Sequence, residues 1–167
     1  MPRLRMPLEK IVSGGQTGVD RGALDAALDA GFDCGGWCPR GRMAEDGEIP
    51  ARYVMAELAG SGYEKRTLKN VLDSDGTAIL YFGALEGGTL QTKEYCVAHG
   101  KPVEVVDASK ATPAEAASRI AAFIRNRHIA VLNVAGPRAS KQPAAYDYAR
   151  KTIALVIAAA TGRDGRA

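Results

Sequence analysis

Short apolar runs alternate with helical periods along the whole chain. Lys10–Ser13 predicts a first strand. Gly18–Ala30 predicts a helix, because Leu24, Ala27 and Leu28 recur on one face. Arg21 and Asp25 stand one turn apart in it, as an i,i+4 ion pair would. Gly31 supplies a stop, and Phe32–Gly36 a short strand. Trp37–Pro50, "WCPRGRMAEDGEIP", has no period and reads as a long loop, a kind that often carries function. Tyr53–Leu58 predicts a strand, Tyr63–Asp73 a helix with Leu68, Val71 and Leu72 inward, and Thr77–Phe82 a strand buried on both faces. A helix over Leu90–His99 ends at Gly100, and Val103–Val106 predicts the next strand. Thr112-Pro113-Ala114-Glu115 joins a capping box to proline at the first helical position, so a helix runs from there to about Arg127. His128–Val134 predicts a further strand, and a last helix runs from about Ala144 to Ala160.

This alternation requires crossovers between parallel strands. It predicts an α/β fold: a three-layer Rossmann-like domain with a mostly parallel central sheet. The 167 residues suffice for one domain with a substantial core. No repeat or linker interrupts them, so a single domain is expected over 1–167. Its core spans about 10–160, and short frayed flanks carry Arg3, Arg5, Arg163 and Arg166.

Composition narrows the partners. The formal net charge is +3 and the charges are spread evenly, which argues against nucleic acid. No run of about 18 apolar residues exists, so no membrane span is expected. Three cysteines without a secretory signal argue against a disulfide framework and for a reducing cytoplasm.

Candidate chemistry gathers where strands meet helices. Three buried strands end in glycine-containing turns: Gly14-Gly15-Gln16-Thr17-Gly18, Gly87-Gly88-Thr89 and Gly136-Pro137-Arg138-Ala139-Ser140. In a parallel sheet such turns share the carboxyl edge, where ligands bind. Helix starts there offer free N–H groups and partial positive charge, and glycine lets the backbone approach an anion closely. Thr17, Thr89 and Ser140 add hydroxyls; Arg138 and Lys141 add full charge. The expected ligand is small and anionic or phosphorylated. No turn matches GxxxxGK[ST], and GGQTG is not GxGxxG, so neither a P-loop nor a standard NAD site is indicated.

The remaining polar residues have plainer readings. Cys34 and Cys38 have no second pair and no nearby histidine in sequence, so no structural metal is expected. Either thiol could still serve as a soft ligand to a bound metal, and Cys96 reads as core. His99 reads as a cap on helix carbonyls. Arg40, Arg42, Glu45 and Asp46 belong either to a solvated loop or to a flap over the ligand, with Arg40 and Arg42 reaching the anion. Asp73 and Asp75 read as turn-shaping residues. Trp37 and Tyr53 read as packing rather than stacking aromatics.

Five stretches, "SGGQTGVDRGALDAAL", "GGWCPRGRMAEDGEIPARY", "RTLKNVLDSDGTAIL", "GGTLQTKEYCVAHGKP" and "LNVAGPRASKQP", resemble the molybdenum cofactor carrier protein family. That family lies within the Rossmannoid superfamily of the lysine-decarboxylase-like LOG phosphoribohydrolases. The resemblance covers about Lys10 to Ala158. It implies a non-catalytic protein that carries molybdenum cofactor or stores an oxyanion, assembled as a homodimer or homotetramer, with molybdoenzymes as partners. The implied binding set is Gly14, Gly15, Gln16, Thr17, Arg40, Gly87, Gly88, Thr89, Thr92, Arg138, Ser140 and Lys141. The donor loops suit a two-ended anion, but a nucleotide fits them equally well, so a nucleotide-binding sensor is the nearest alternative.

The enzyme relatives supply a rival. Their PGGxGTxxE turn corresponds to Gly87–Glu94, where Thr92 and Glu94 align if one residue is inserted. Glu94 would then act on a developing ribosyl cation or on water. Arg66 would accompany it from the preceding helix, with Asn70 one turn on. Glu86 stands where those enzymes have the leading proline, which weakens the case for cleavage of nucleoside monophosphates.

Overall fold

The computed structural model describes residues 6–60 and 62–162; the four terminal arginines named above lie outside them. In chain order the elements are β1 (Lys10–Val12), α1 (Val19–Asp29), β2 (Cys34–Gly35), β3 (Trp37–Pro39), β4 (Met43–Ala44), β5 (Gly47–Glu48) and β6 (Ala56–Leu58). Then follow α2 (Tyr63–Leu72), β7 (Gly76–Tyr81), α3 (Gly87–Ala98), β8 (Val103–Asp107), α4 (Pro113–Arg127), β9 (Val131–Ala135) and α5 (Ala145–Thr161). Five strands form an all-parallel sheet in the order β2-β1-β9-β7-β8. This is the expected three-layer Rossmann-like α/β fold.

The strand order explains the layers. The step from β1 to β2 runs towards one edge, and the step from β7 to β8 towards the other. Right-handed crossovers then place α1 and α3 on opposite faces. α5 packs against both α1 and α4 in one layer, and α2 packs on α3 in the other. Ile11, Leu80 and Leu132 of the sheet meet Ile120, Ile124 and Ile153 of the helices in a core without solvent contact. Such side chains each stabilise the fold by about 1.5–3 kcal/mol through burial. Among the described residues, no helix is long and apolar enough to cross a membrane.

Several boundaries differ from expectation. The segment expected as one loop, 37–50, holds three short strands: β3 pairs in parallel with β6, and β4 with β5 forms a hairpin. The strand expected over Tyr53–Leu58 shortens to β6, because Tyr53 turns inward and donates its hydroxyl to Asp25 at 2.8 Å. Tyr146 donates to the other oxygen of Asp25. The Arg21–Asp25 pair does not form; Arg21 instead makes a two-pronged bond to Asp46 at 2.5 and 2.7 Å. β9 starts three residues later than expected, because His128 caps α4 in the left-handed conformation at φ 54°. α3 starts three residues earlier, its first turn built from Gly87, Gly88 and Thr89.

Candidate functional site

β1, β9 and β7 are neighbours at the centre of the sheet. The turns after them are the three glycine turns. They surround a cleft of about 200 Å³ whose wall includes Asp20, Arg66, Gly88, Thr89, Arg138 and Lys141. Gln16, Thr92 and Glu86 also line it, with Tyr63, Tyr81 and Phe82.

The first turn is folded on itself. The N–H of Gln16 donates to Asp20 Oδ2 at 3.2 Å, that of Thr17 to Gln16 Oε1 at 3.1 Å, and that of Val19 to Pro137 O at 3.2 Å. Gly14, Gly15 and Thr17, expected to hold the anion, lie outside the residues lining the cleft. Gly14 serves another purpose. The guanidinium of Arg66 lies against Gly14: a Cβ there would sit 1.8 Å from Arg66 Nη1. Arg66 is thereby held between this backbone and the Tyr63 ring, 5.7 Å from its centroid.

Arg66 faces Asp20, with Nη1 3.6 Å from Oδ2, and its buried Nε has no hydrogen-bond partner among the described residues. Burial pushes the Asp20 carboxyl up from 3.8 to about 6. Arg66, the N–H groups of Gln16 and Gly14, and Arg21 pull the other way, and burial wins. A carboxyl that titrates near pH 6 beside a constrained arginine is an arrangement typical of functional clefts. The sequence reading missed Asp20. An acid in a first helical turn reads as a complement to the helix dipole, and its burial is not visible along the chain.

The second turn is open. Among the described residues, no side chain caps the start of α3. α4, by contrast, is sealed by its expected capping box, with Thr112 and Glu115 bonded reciprocally at 3.2 Å. Gly88 has no atom within 4 Å of a would-be Cβ, so its backbone faces open space. The ammonium of Lys141 comes to 3.2 Å from the equivalent point on Gly87. Lys141 therefore stands over the start of α3, where an anion would also gain the helix dipole. Thr92 turns its hydroxyl onto Gly88 O at 2.9 Å.

The third turn is bridged to the first by a residue of the β4–β5 hairpin. Glu45 accepts from the Ser140 N–H at 3.1 Å, the Ser140 hydroxyl at 2.5 Å and the Thr17 hydroxyl, with Arg138 Nε at 3.9 Å. These donors, Ser140 first, hold the Glu45 carboxyl below the usual range.

Other expected residues lie elsewhere. Glu94 is exposed and outside the cleft wall, on a different side of α3 from Thr92. Arg40 is exposed and also outside it. Arg42 reaches no anion: it clamps the carbonyls of Ile49, Pro50 and Tyr53. Asn70 is buried and pairs with both backbone groups of Trp37 at 2.8 and 3.0 Å, fastening β3 to α2. Asp73 accepts the Trp37 indole N–H at 2.7 Å, and Asp75 accepts the N–H groups of Ala130 and Val131 at 3.1 and 2.8 Å. Cys34, Cys38 and Cys96 are free thiols, and burial pushes all three up, which keeps them protonated and poor ligands. Neither Cys34 nor Cys38 lines the cleft. Among the described residues, no group of three or more His, Cys, Asp and Glu comes together to hold a metal ion.

Two comparisons bear on this architecture. The model of the circularly permutated YpsA SLOG family matches residues 11–157. A crystal structure from Syntrophus aciditrophicus SB, named "Putative molybdenum carrier protein", superposes with a TM-score of 0.89. The two are 42% identical, over 92% of this chain and 98% of that one. No protein of curated function matches the chain significantly.

Proposed function

Because this chain belongs to the circularly permutated YpsA SLOG family, we propose that its cleft is a binding site for a phosphorylated, anionic ligand, with molybdenum cofactor as the specific cargo. The observation that carries the reading is the uncapped start of α3 beneath Lys141, with Arg138 and Arg66 in the same wall. The phosphate end of the ligand belongs at the N–H groups of Gly88 and Thr89, paired with Lys141. The unpartnered Nε of Arg66 offers a donor to the remaining body. A phosphate and an oxo-metal head are both anionic, which suits this donor set. Donors here are hydrogen bonds and charge, with no thiolate in the wall, so the protein carries the metal without ligating it through sulfur. The name of the Syntrophus aciditrophicus relative supports the cargo.

Titration with isolated molybdenum cofactor tests this: saturable binding is expected, competed by inorganic phosphate. Absence of any binding would overturn it. The rival is hydrolysis of a nucleoside monophosphate. One observation favours it, a carboxyl of raised pKa within the cleft, and the acid would then be Asp20 rather than the exposed Glu94. Under that reading AMP or its N6-modified forms release free base, and Asp20→Asn abolishes the release while Glu94→Gln does not.

A further inference from the structure

We propose that Thr17, Arg138 and Ser140 form a second oxyanion subsite beside the cleft, which the Glu45 carboxylate fills and which an anionic group of a ligand takes over by displacing it. Three features carry this. The donor set has the character of a phosphate site: a backbone N–H, two hydroxyls and a guanidinium converge on one carboxylate. Arg138 belongs to both places, lining the cleft while reaching Glu45. The cleft, at about 200 Å³, is short of the roughly 300 Å³ at which pockets for whole small-molecule ligands begin. A ligand anchored at Lys141 therefore extends beyond it, and Arg138 joins the cleft wall to the donors that Glu45 holds.

The displacement needs little rearrangement. Glu45 sits at the tip of the β4–β5 hairpin, an exposed position. The hairpin keeps its other anchors when the carboxylate swings out: Asp46 stays on Arg21, and Arg42 stays on its three carbonyls. The depressed pKa of Glu45 fits a set of donors that prefers negative charge. Glu45 thus acts as a built-in competitor, and a ligand with one anionic end leaves it in place while a ligand with two evicts it.

The inference rests on the cleft reading for the first anion, and the test separates the two. Inorganic phosphate is titrated calorimetrically into wild type, Glu45→Gln and Glu45→Ala. Wild type is expected to bind one phosphate per chain and Glu45→Ala two, the added one about tenfold or more tighter than any second phosphate on wild type, the worth of one freed charge-assisted hydrogen bond. A variant that binds as wild type does would overturn the subsite. No binding to wild type but one phosphate on Glu45→Ala would keep the subsite and sink the cleft reading; no binding to either sinks both. The second measurement needs no variant. The Glu45 carboxyl, followed by carbon NMR in wild type, should titrate nearer its ordinary value when inorganic pyrophosphate saturates the protein. An unchanged titration under saturating pyrophosphate would overturn the displacement.

Discussion

Replacing Asp20 with asparagine should change how stability depends on pH by an amount the structure sets. The folded carboxyl titrates at about 6 against an ordinary 3.8, a difference of about 2.2, and at about 1.36 kcal/mol per unit this is about 3 kcal/mol. The sign follows from which state holds the proton. Below about 4 both folded and unfolded chains are protonated, and the full contribution is present. Between about 4 and 6 the unfolded chain releases its proton while the folded chain retains it, so stability falls as pH rises. Above about 6 the loss is complete. Asparagine keeps the shape and cannot ionise. Urea unfolding of both proteins across this range should therefore show Asp20→Asn gaining about 3 kcal/mol on wild type between pH 4 and pH 7. The difference matters more than either curve, since Glu45, Asp46, Asp107 and Glu115 have depressed pKa values and contribute the opposite slope in both proteins. Parallel curves would refute the argument that burial outweighs Arg66 at this carboxyl.

Gly88→Ala separates binding from folding. Its Cβ enters open space, so thermal unfolding should hold or rise slightly through better helix propensity, while phosphate affinity by calorimetry falls about tenfold or more as the amide is screened. Lys141→Gln should weaken phosphate binding by about tenfold or more and flatten its salt dependence, measured across a sodium chloride series. Gly14→Ala displaces the Arg66 guanidinium, because the new Cβ would lie 1.8 Å from Nη1; what must move is the far end of a flexible side chain, so urea unfolding should show a loss of about 1 kcal/mol or less, below the range for overpacking a rigid core. Thr112→Ala, far from the cleft, should cost about 1 kcal/mol by loss of its cap and leave phosphate affinity unchanged.

Much of the fold can be read along the chain, and the reason is periodicity. Strand β7 announces itself because Gly76–Leu80 are all buried, which leaves an unbroken apolar run. The α4 boundary is legible because its cap lies within four residues. Arg66, singled out only through the resemblance, lines the cleft. What the sequence conceals is partnership across long separations. Arg21 has an acid one turn away, yet it pairs with Asp46, 25 residues on, because α1 presents Asp25 to Tyr53 and Tyr146 instead. Glycine meant three different things in three similar turns. Gly14 makes room for a guanidinium, Gly88 leaves an amide open, and Gly136 avoids the Leu80 carbonyl, 2.4 Å from a would-be Cβ. Composition and spacing cannot tell these apart. Glu94 lies outside the cleft wall for a related reason: two residues along a helix from Thr92 is enough rotation to carry a side chain from cleft to solvent.

The place of β9 between β1 and β7 has a consequence for how the molecule comes into being. Lys10 lies opposite Val131, so ribosomal synthesis must deliver about 120 further residues before the first strand meets its inner neighbour, a closure over long range that slows assembly. Until then the halves have no shared rim, and Gly88 and Arg138 belong to pieces that have not met. A nascent chain halted before Val131 would therefore carry every residue of the first two turns and hold no anion, and the capacity to bind should arrive abruptly, with the last strand, rather than turn by turn.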